Sequence, residues 1–249
     1  MRAERAGFAP VSEEEKEKWG FSHVRRAKAL KLYSDSMIVN GDKGYRSVLA
    51  TQGVTEGCYY YELTVLNSSS ENLNLPSNPI PANAPMLEPL VPTHMTMCYE
   101  THNLLSILES AAHTRIGFST IQTDLELPIG SDQFSYSYRD SDGSGFHQSR
   151  RRSYSRPYGP NDVVGCLIKL NPQKPKVKGR KEEGPVVSEG SCIRFFKNEE
   201  DLGVCFVDIY EGTYYPAVAL YQFARVELAA PLSLKYPDRL SLFSAQPFA

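Results

Sequence analysis

Two arginines pose the first chemical question in this sequence. TRIGFS (114–119) places Arg115 directly before an aliphatic-Gly-aromatic step, and FSYSYR (134–139) ends an alternating aromatic run on Arg139. Both stretches read as strands, in which successive side chains point to opposite faces. Arg115, Gly117 and Ser119 then share one face, while Ile116 and Phe118 take the other. Phe134, Tyr136 and Tyr138 share a face, with Ser135, Ser137 and Arg139 opposite. The aromatic sets mark the core side, so both guanidiniums belong on a polar outer face. A planar guanidinium can hold a carboxylate through two parallel hydrogen bonds, so such a pair suits an acidic peptide. It suits an internal salt bridge or a plain surface as well, and spacing alone leaves these open.

Other catalytic patterns are missing. The sequence holds no G-x-S-x-G elbow, H-E-x-x-H, P-loop, dinucleotide fingerprint or kinase DFG/HRD pair. The five histidines (His23, His94, His102, His113 and His147) show no ligand spacing. His147, in a strand-like context, reads as a structural residue hydrogen-bonded near a sheet end. The five cysteines (Cys58, Cys98, Cys166, Cys192 and Cys205) include no C-x-x-C pair, which argues against a structural zinc. Cys58, Cys166, Cys192 and Cys205 fall in strand-like runs and read as buried free thiols, which suits a reducing compartment. RDSDGSG (139–145) misses the calcium-loop spacing and reads as a hairpin tip. With no nucleophile-base set visible, a hydrolase or transferase is disfavoured, and neither cofactor nor metal is expected.

A basic stretch, RRRSYSR (150–156), supplies Arg150, Arg151, Arg152 and Arg156, and a later segment adds Lys174, Lys176, Lys178, Arg180 and Lys181. These residues read either as a solvated rim or as a contact with DNA phosphates or an anionic nucleosome surface. Consecutive arginines in an extended chain cannot all face one way, so any such contact would touch phosphates rather than read bases.

The elements that must position these groups follow from composition and pattern. The chain has 249 residues, 41% of them hydrophobic, enough for one large all-β domain or two small ones. A net charge of −2 argues against a globally basic nucleic-acid binder. No apolar run approaches the length needed to span a bilayer, and the charged start MRAERAGFAP lacks the apolar core of a secretory signal. ALKLYSDSMIV (29–39), YYYELTVL (59–66), RIGFSTI (115–121), FSYSYR (134–139) and VVGCLIKL (163–170) read as strands. So do CIRFFKN (192–198), GVCFVDI (203–209), YYPAVALY (214–221) and ARVELAA (224–230). They are short, rich in aromatic and β-branched residues, and punctuated by Gly, Asp, Asn and Pro. That pattern predicts an all-β fold, an antiparallel β-sandwich rather than βαβ units. FKNEEDLGVCF (196–206) reads as a hairpin in which Asn198–Asp201 turn the chain and Gly203 restarts it.

Two long insertions interrupt the pattern, at 67–113 and 171–190. The first carries six prolines between Pro76 and Pro92 and reads as irregular. It ends in YETHNLLSILESAA (99–112), with Leu104, Ile107 and Leu108 at helical spacing. Near the start, SEEEKEKW (12–19) reads as a short N-terminal helix with Ser12 as N-cap and Glu15 closing a capping box.

LKLYSDSMIVNGDKGYRSVLATQGVTEGCYYYELTV (30–65) resembles the opening of a SPRY domain, a concanavalin-like sandwich. TRIGFS, LPIGSDQFSYSYRDSDGSGFHQS (127–149), YGPNDVVGCLIKL (158–170), IRFFKNEEDLGVCFVDIYEGTYYPAVALY (193–221) and LKYPDRL (234–240) continue the resemblance. The F-H-Q-S and Y-G-x-x-D-V-x-G strings are similar to those of the Ash-two branch (Bre-two in yeast). Members of that family are non-catalytic core subunits of COMPASS/MLL-type complexes, which methylate lysine four of histone H3. The resemblance implies a SPRY domain over 25–240, an N-terminal extension over 1–24 and a C-terminal tail over 241–249.

The resemblance also implies partners and a site. In the family, the domain binds a short acidic-aromatic segment of a β-propeller subunit (retinoblastoma-binding or Swd-one type). The pair then contacts the SET-domain methyltransferase subunit and stimulates methyl transfer in the nucleus. The matching pocket positions here are Tyr45, Arg115, Pro128 and Arg139, while Ser131 stands where the family has a tyrosine and removes an aromatic wall. A docking helix for the Dumpy-thirty dimer is not visible after the domain, and neither are the family's zinc-finger and winged-helix modules. The expected function is therefore a scaffold and allosteric activator subunit of a histone methyltransferase complex, not an enzyme and without a membrane partner. The alternative is a SPRY substrate-recognition module of a ubiquitin ligase or another peptide-binding adaptor. Because loop length costs stability only logarithmically, replacing 67–98 with a short Gly/Ser linker should leave the melting temperature within a few degrees of the parent. A collapse of the thermal transition would mean that this segment packs as part of the core.

Overall fold

The structure, a computed structural model, describes residues 18–42, 44–67, 112–172 and 184–248. The first strands are β1 (Phe21–Arg26), β2 (Lys31–Tyr33), β3 (Ile38–Asn40), β4 (Arg46–Ala50) and β5 (Gly57–Leu66). β6 (His113–Ser119), β7 (Ser135–Arg139), β8 (Gly145–His147), β9 (Arg150–Arg152) and β10 (Val163–Leu170) follow. The last are β11 (Cys192–Lys197), β12 (Glu200–Val207), β13 (Tyr215–Tyr221), β14 (Arg225–Leu228) and β15 (Gln246–Pro247), with a short helix α1 (Asp238–Leu242) before β15. One sheet runs β1-β4-β13-β6-β7-β8-β9 and the other β12-β11-β10-β5-β14-β3-β2. All pairings are antiparallel except that of β15, which lies parallel to β5 beside Tyr59 and Tyr60. The expected all-β sandwich is the observed fold.

Alternation builds the core. Val48, Ile116, Phe118, Tyr136, Tyr138 and Val218 point inward from the first sheet and meet Tyr61, Leu63, Cys166, Ile168, Ile193 and Phe195 from the second. Each large apolar side chain removed from water contributes roughly 1.5–3 kcal/mol, so this shared face sets the register of every strand that feeds it. The Tyr61 hydroxyl crosses the sandwich and donates to the Gly117 carbonyl at 2.5 Å. Gly117 itself lets β6 and β7 approach, since a Cβ there would lie 2.1 Å from the Tyr136 carbonyl oxygen.

Local departures from the sequence reading have local causes. ALKLYSDSMIV forms two strands instead of one, because Ser34, Asp35 and Ser36 adopt positive φ (48°, 55° and 67°) and reverse the chain. Short polar side chains tolerate this left-handed conformation better than the apolar residues around them. In the β11–β12 hairpin the chain turns at Asn198 and Glu199, and Glu200 already belongs to the strand. Gly203 (φ 81°) then sits where the β11–β12 register shifts, as a bulge within the strand. β1, β4, β9 and β15 fall outside the runs that read as strands, and β8 is foreshadowed only by the strand-like context of His147. The helices expected at 12–19 and 99–112 lie outside the described residues except for their edges, as do most of the two insertions.

Described residues on either side of 25–240 also pack into the sandwich. Phe21 is buried, and the Trp19 indole donates to the Ala229 carbonyl at 2.9 Å. Phe248 is buried among the rings of Trp19, Tyr59, Tyr61 and Phe118, with centroid separations between 5.4 and 6.1 Å. On the outer face of the second sheet, buried Glu62 accepts from the backbone amides of Lys235 (2.6 Å) and Tyr236 (2.9 Å) and from the Tyr60 hydroxyl (2.9 Å). Arg239 of α1 donates to that same hydroxyl at 2.8 Å and lies over the Phe196 ring at 4.4 Å. A buried carboxylate and a buried guanidinium are thus joined through one tyrosine, which fixes the 234–243 segment to β5. Phe248→Ala should lower the free energy of unfolding by about 3–5 kcal/mol in chemical denaturation. A loss below about 1 kcal/mol would show that the end of the chain is not part of the core.

Candidate functional site

The register of β6 and β7 places Arg115 directly opposite Arg139, with both side chains on the outer face. Ile116 pairs with Tyr138 and Phe118 with Tyr136 on the inner face, as alternation requires. Like charges directly opposite on neighbouring strands are destabilising. The two arginines resolve this in different ways.

Arg139 has an internal partner. Its Nε donates to Asp142 Oδ1 at 2.9 Å, and its Nη2 donates to Oδ2 of the same carboxylate. Arg151 Nε donates to Asp142 Oδ2 at 2.9 Å, and the Ser144 hydroxyl adds a 2.8 Å bond. The hydrogen-bonded Arg139 guanidinium holds the Asp142 carboxyl well below the usual carboxylate range, assisted by the Ser144 bonds. Asp142 belongs to the β7–β8 hairpin tip, the role expected of RDSDGSG.

Arg115 has none. It is 9% exposed, and among the described residues no carboxylate lies within ion-pair distance of it. Its Nε is buried without a hydrogen-bond partner. Burial lowers its pKa from the ordinary value and the like charge of Arg139 adds to this, while the Tyr45 phenol opposes it. A guanidinium remains protonated regardless. What it has instead of an anion are rings: Phe146 at 4.1 Å and Tyr45 at 5.4 Å from the guanidinium carbon. Phe146 also carries Arg139 at 4.8 Å, so one aromatic ring supports both cations.

Tyr45, Arg115 and Arg139 therefore come together around Phe146. Tyr45 packs on Tyr221 (5.0 Å between centroids) and against an apolar patch of Leu49, Ile129, Ala217 and Ala219. Pro128 is half-buried in the loop between β6 and β7, next to Ile129 of that patch. The loop is fastened by Ser47, whose hydroxyl donates to the Leu127 carbonyl at 2.6 Å, and by Ser137, whose hydroxyl donates to the Ile129 carbonyl at 2.8 Å. Ser131 ends the Pro128 turn, and its carbonyl accepts from the Ser149 hydroxyl at 2.8 Å. Sequence reasoning missed Phe146, Tyr221 and Asp142. Phe146 sits in the F-H-Q-S string and Asp142 three residues after Arg139, but neither signal says which arginine it serves.

The basic stretch is mostly committed within the chain. Arg151 faces Asp142, Arg152 lies over the Phe206 ring at 5.5 Å, and Arg156 pairs with Glu200. Arg150 is exposed with no carboxylate at ion-pair distance among the described residues, and β9 forms a charged edge of its sheet. Lys174, Lys176 and Lys178, with Arg180 and Lys181, lie outside the described residues.

The remaining reactive side chains are quiet. Cys58, Cys166, Cys192 and Cys205 are free, and burial pushes the Cys166 and Cys205 thiols above their ordinary value. Cys58 and Cys192 are half-buried rather than buried. Cys98 lies outside the described residues. His147 is stacked on Tyr136 at 3.9 Å with Nδ1 on the Ser135 carbonyl at 2.9 Å, the structural role expected of it. His23 Nε2 meets the Ser36 hydroxyl at 2.7 Å, but the pair is exposed and no described residue bonds His23 Nδ1 to orient it as a base. Among the described residues no cluster of His, Cys, Asp or Glu is arranged to hold a metal ion.

A two-sheet antiparallel sandwich with this strand order is the kind of architecture that SPRY domains have. Residues 98–174 match the SPRY domain family. It is 29% identical over 240 residues to the Set1/Ash2 histone methyltransferase complex subunit ASH2 of Drosophila melanogaster, covering 86% of this chain and 36% of that protein. It is 23% identical over 232 residues to the Set1/Ash2 histone methyltransferase complex subunit ash-2 of Caenorhabditis elegans, covering 79% of this chain and 34% of that one. The chain thus spans about a third of the length of these relatives. Its fold is similar to the crystal structure of the SPRY domain of human HERC1, with a TM-score of 0.55 and 16% identity over 87% of this chain and 99% of that one.

The Asp142 assignment has a pH signature. A folded-state pKa held down by Arg139 contributes stability above the ordinary aspartate value of about 3.9 and loses that contribution as pH falls. In carboxyl-resolved NMR titration, Asp142 should stay ionised where other aspartates protonate. Arg139→Gln should move its midpoint up toward the ordinary range. An Asp142 that titrates near the ordinary value in the parent protein would refute the pairing.

Proposed function

We propose that this chain is a non-catalytic subunit of a histone methyltransferase complex, whose Arg115 pocket holds an acidic segment of a β-propeller partner. The observation that carries this reading is Arg115 itself: a nearly buried cation with no carboxylate partner among the described residues, braced by Tyr45 and Phe146 beside an apolar patch. Desolvating a guanidinium without pairing it is unfavourable, so the arrangement is completed by an anion from outside. The similarity to Set1/Ash2 complex subunits supplies the kind of assembly, and a nuclear location goes with it.

The mechanism is one of ordering rather than chemistry. A carboxylate of the partner would seat on Arg115, with neighbouring apolar side chains against Ile129, Ala217 and Ala219. The joined pair would then hold a SET-domain subunit with mobile lobes in its competent arrangement, shifting a population instead of supplying a reacting group. Ser131, at the position where the resemblance implies a tyrosine, would give the partner segment no aromatic wall there.

Arg115→Ala tests the reading directly. Truncating one side of a desolvated charge pair costs about 2–5 kcal/mol, so calorimetry should show affinity for an acidic propeller peptide falling at least about thirtyfold. The melting temperature should hold or rise, since the variant removes an unpaired buried charge. Unchanged affinity in the folded variant would rule out the pocket.

A further inference from the structure

Resting on the proposal that the Arg115 pocket binds an acidic segment, we infer that Asp142 sets its specificity: it withholds Arg139 and Arg151, so the site recognises one carboxylate beside apolar side chains rather than a cluster of acids. Three arginines share this face (Arg115, Arg139 and Arg151), and by charge alone it would suit a polyacidic ligand. The geometry divides them. Asp142 binds Arg139 through both carboxylate oxygens and Arg151 through Oδ2. The Ser144 amide (3.1 Å) and hydroxyl (2.8 Å) fill its remaining acceptor positions. The carboxylate is only partly exposed, and it is held from three sides by groups that belong to one hairpin and its neighbouring strand. A second ligand carboxylate would have to displace it from two guanidiniums at once. Arg115, on the next strand and beyond the reach of Asp142, is the cation left for the ligand.

The apolar half of the recognition follows from position. Beside Arg115 the outer face offers Leu49, Ile129, Ala217 and Ala219 with the Tyr45 ring. Phe146 is shared by Arg115 and Arg139, so Arg139 positions the ring on which Arg115 lies without meeting the ligand.

The test uses the full chain and two fluorescent synthetic peptides of about twelve residues around a central phenylalanine. They differ only in carrying one glutamate or three. Measured near physiological ionic strength, where distant charges are largely screened, the parent protein should bind the two within about threefold of each other. Asp142→Asn keeps an oxygen for the Ser144 amide and removes the charge. It should tighten the three-glutamate peptide about tenfold, the worth of one added charge-assisted hydrogen-bond pair, and leave the one-glutamate peptide within about twofold. Combining it with Arg139→Gln should abolish the gain. Melting curves accompany each variant, and Asp142→Ser replaces the asparagine if that variant does not fold. A parent protein that already prefers three glutamates tenfold, or a preference unchanged by Asp142→Asn, overturns this inference while leaving an Arg115-dependent site standing. If neither peptide binds the parent, the site and the inference fall together.

Discussion

The inner face of β6 and β7 dictates where the arginines go. Ile116, Phe118, Tyr136 and Tyr138 are all buried in the core between the sheets. With a period of two, burying them forces Arg115 and Arg139 outward and opposite each other. The magnitudes settle the conflict. Four buried apolar or aromatic side chains contribute roughly 1.5–3 kcal/mol each, against a repulsion of under about 1 kcal/mol for two cations at a sheet surface. The fold accepts the repulsion and softens it with Asp142, Phe146 and Tyr45.

The same logic explains why the pocket is rigid. Its floor is a central part of the sheet, with β6 between β13 and β7, and Ala217 and Ala219 of β13 present only small side chains there. The loop between β6 and β7 crosses that floor and is fastened by hydroxyls from β4 and β7, so Ile129 and Pro128 are held against it. A guanidinium on a strand, stacked between rings, has little rotamer freedom left to lose on binding. Arg115 is therefore held by elements whose positions are set by the core.

A second buried charge system works in the opposite sense. Glu62 and Arg239 are both buried and both satisfied within the chain, through Tyr60 and the amides of Lys235 and Tyr236. Nothing is left over for a ligand, and the result is attachment of the C-terminal segment to the sheet. Arg115 and Arg239 are the same residue type at similar burial. Arg239 is joined to a buried carboxylate through Tyr60, whereas no carboxylate among the described residues reaches Arg115.

By itself the sequence determined the class of fold and the faces. Alternation in TRIGFS and FSYSYR put Arg115 and Arg139 outside and the aromatic residues inside, and turn chemistry marked the RDSDGSG hairpin, because these depend on neighbours along the chain. The serine-rich turn at Ser34–Ser36 was legible as composition but not as a break in a strand, since its left-handed residues show only in the backbone. Which arginine is satisfied, by contrast, depends on contacts across strands. Phe146 reaches both arginines from β8, Arg151 reaches Asp142 from β9, and Phe248 reaches Trp19 across nearly the whole chain. Pairings of that kind are fixed by strand order and register, which local pattern does not encode, and so only the tertiary structure could separate the paired Arg139 from the unpaired Arg115.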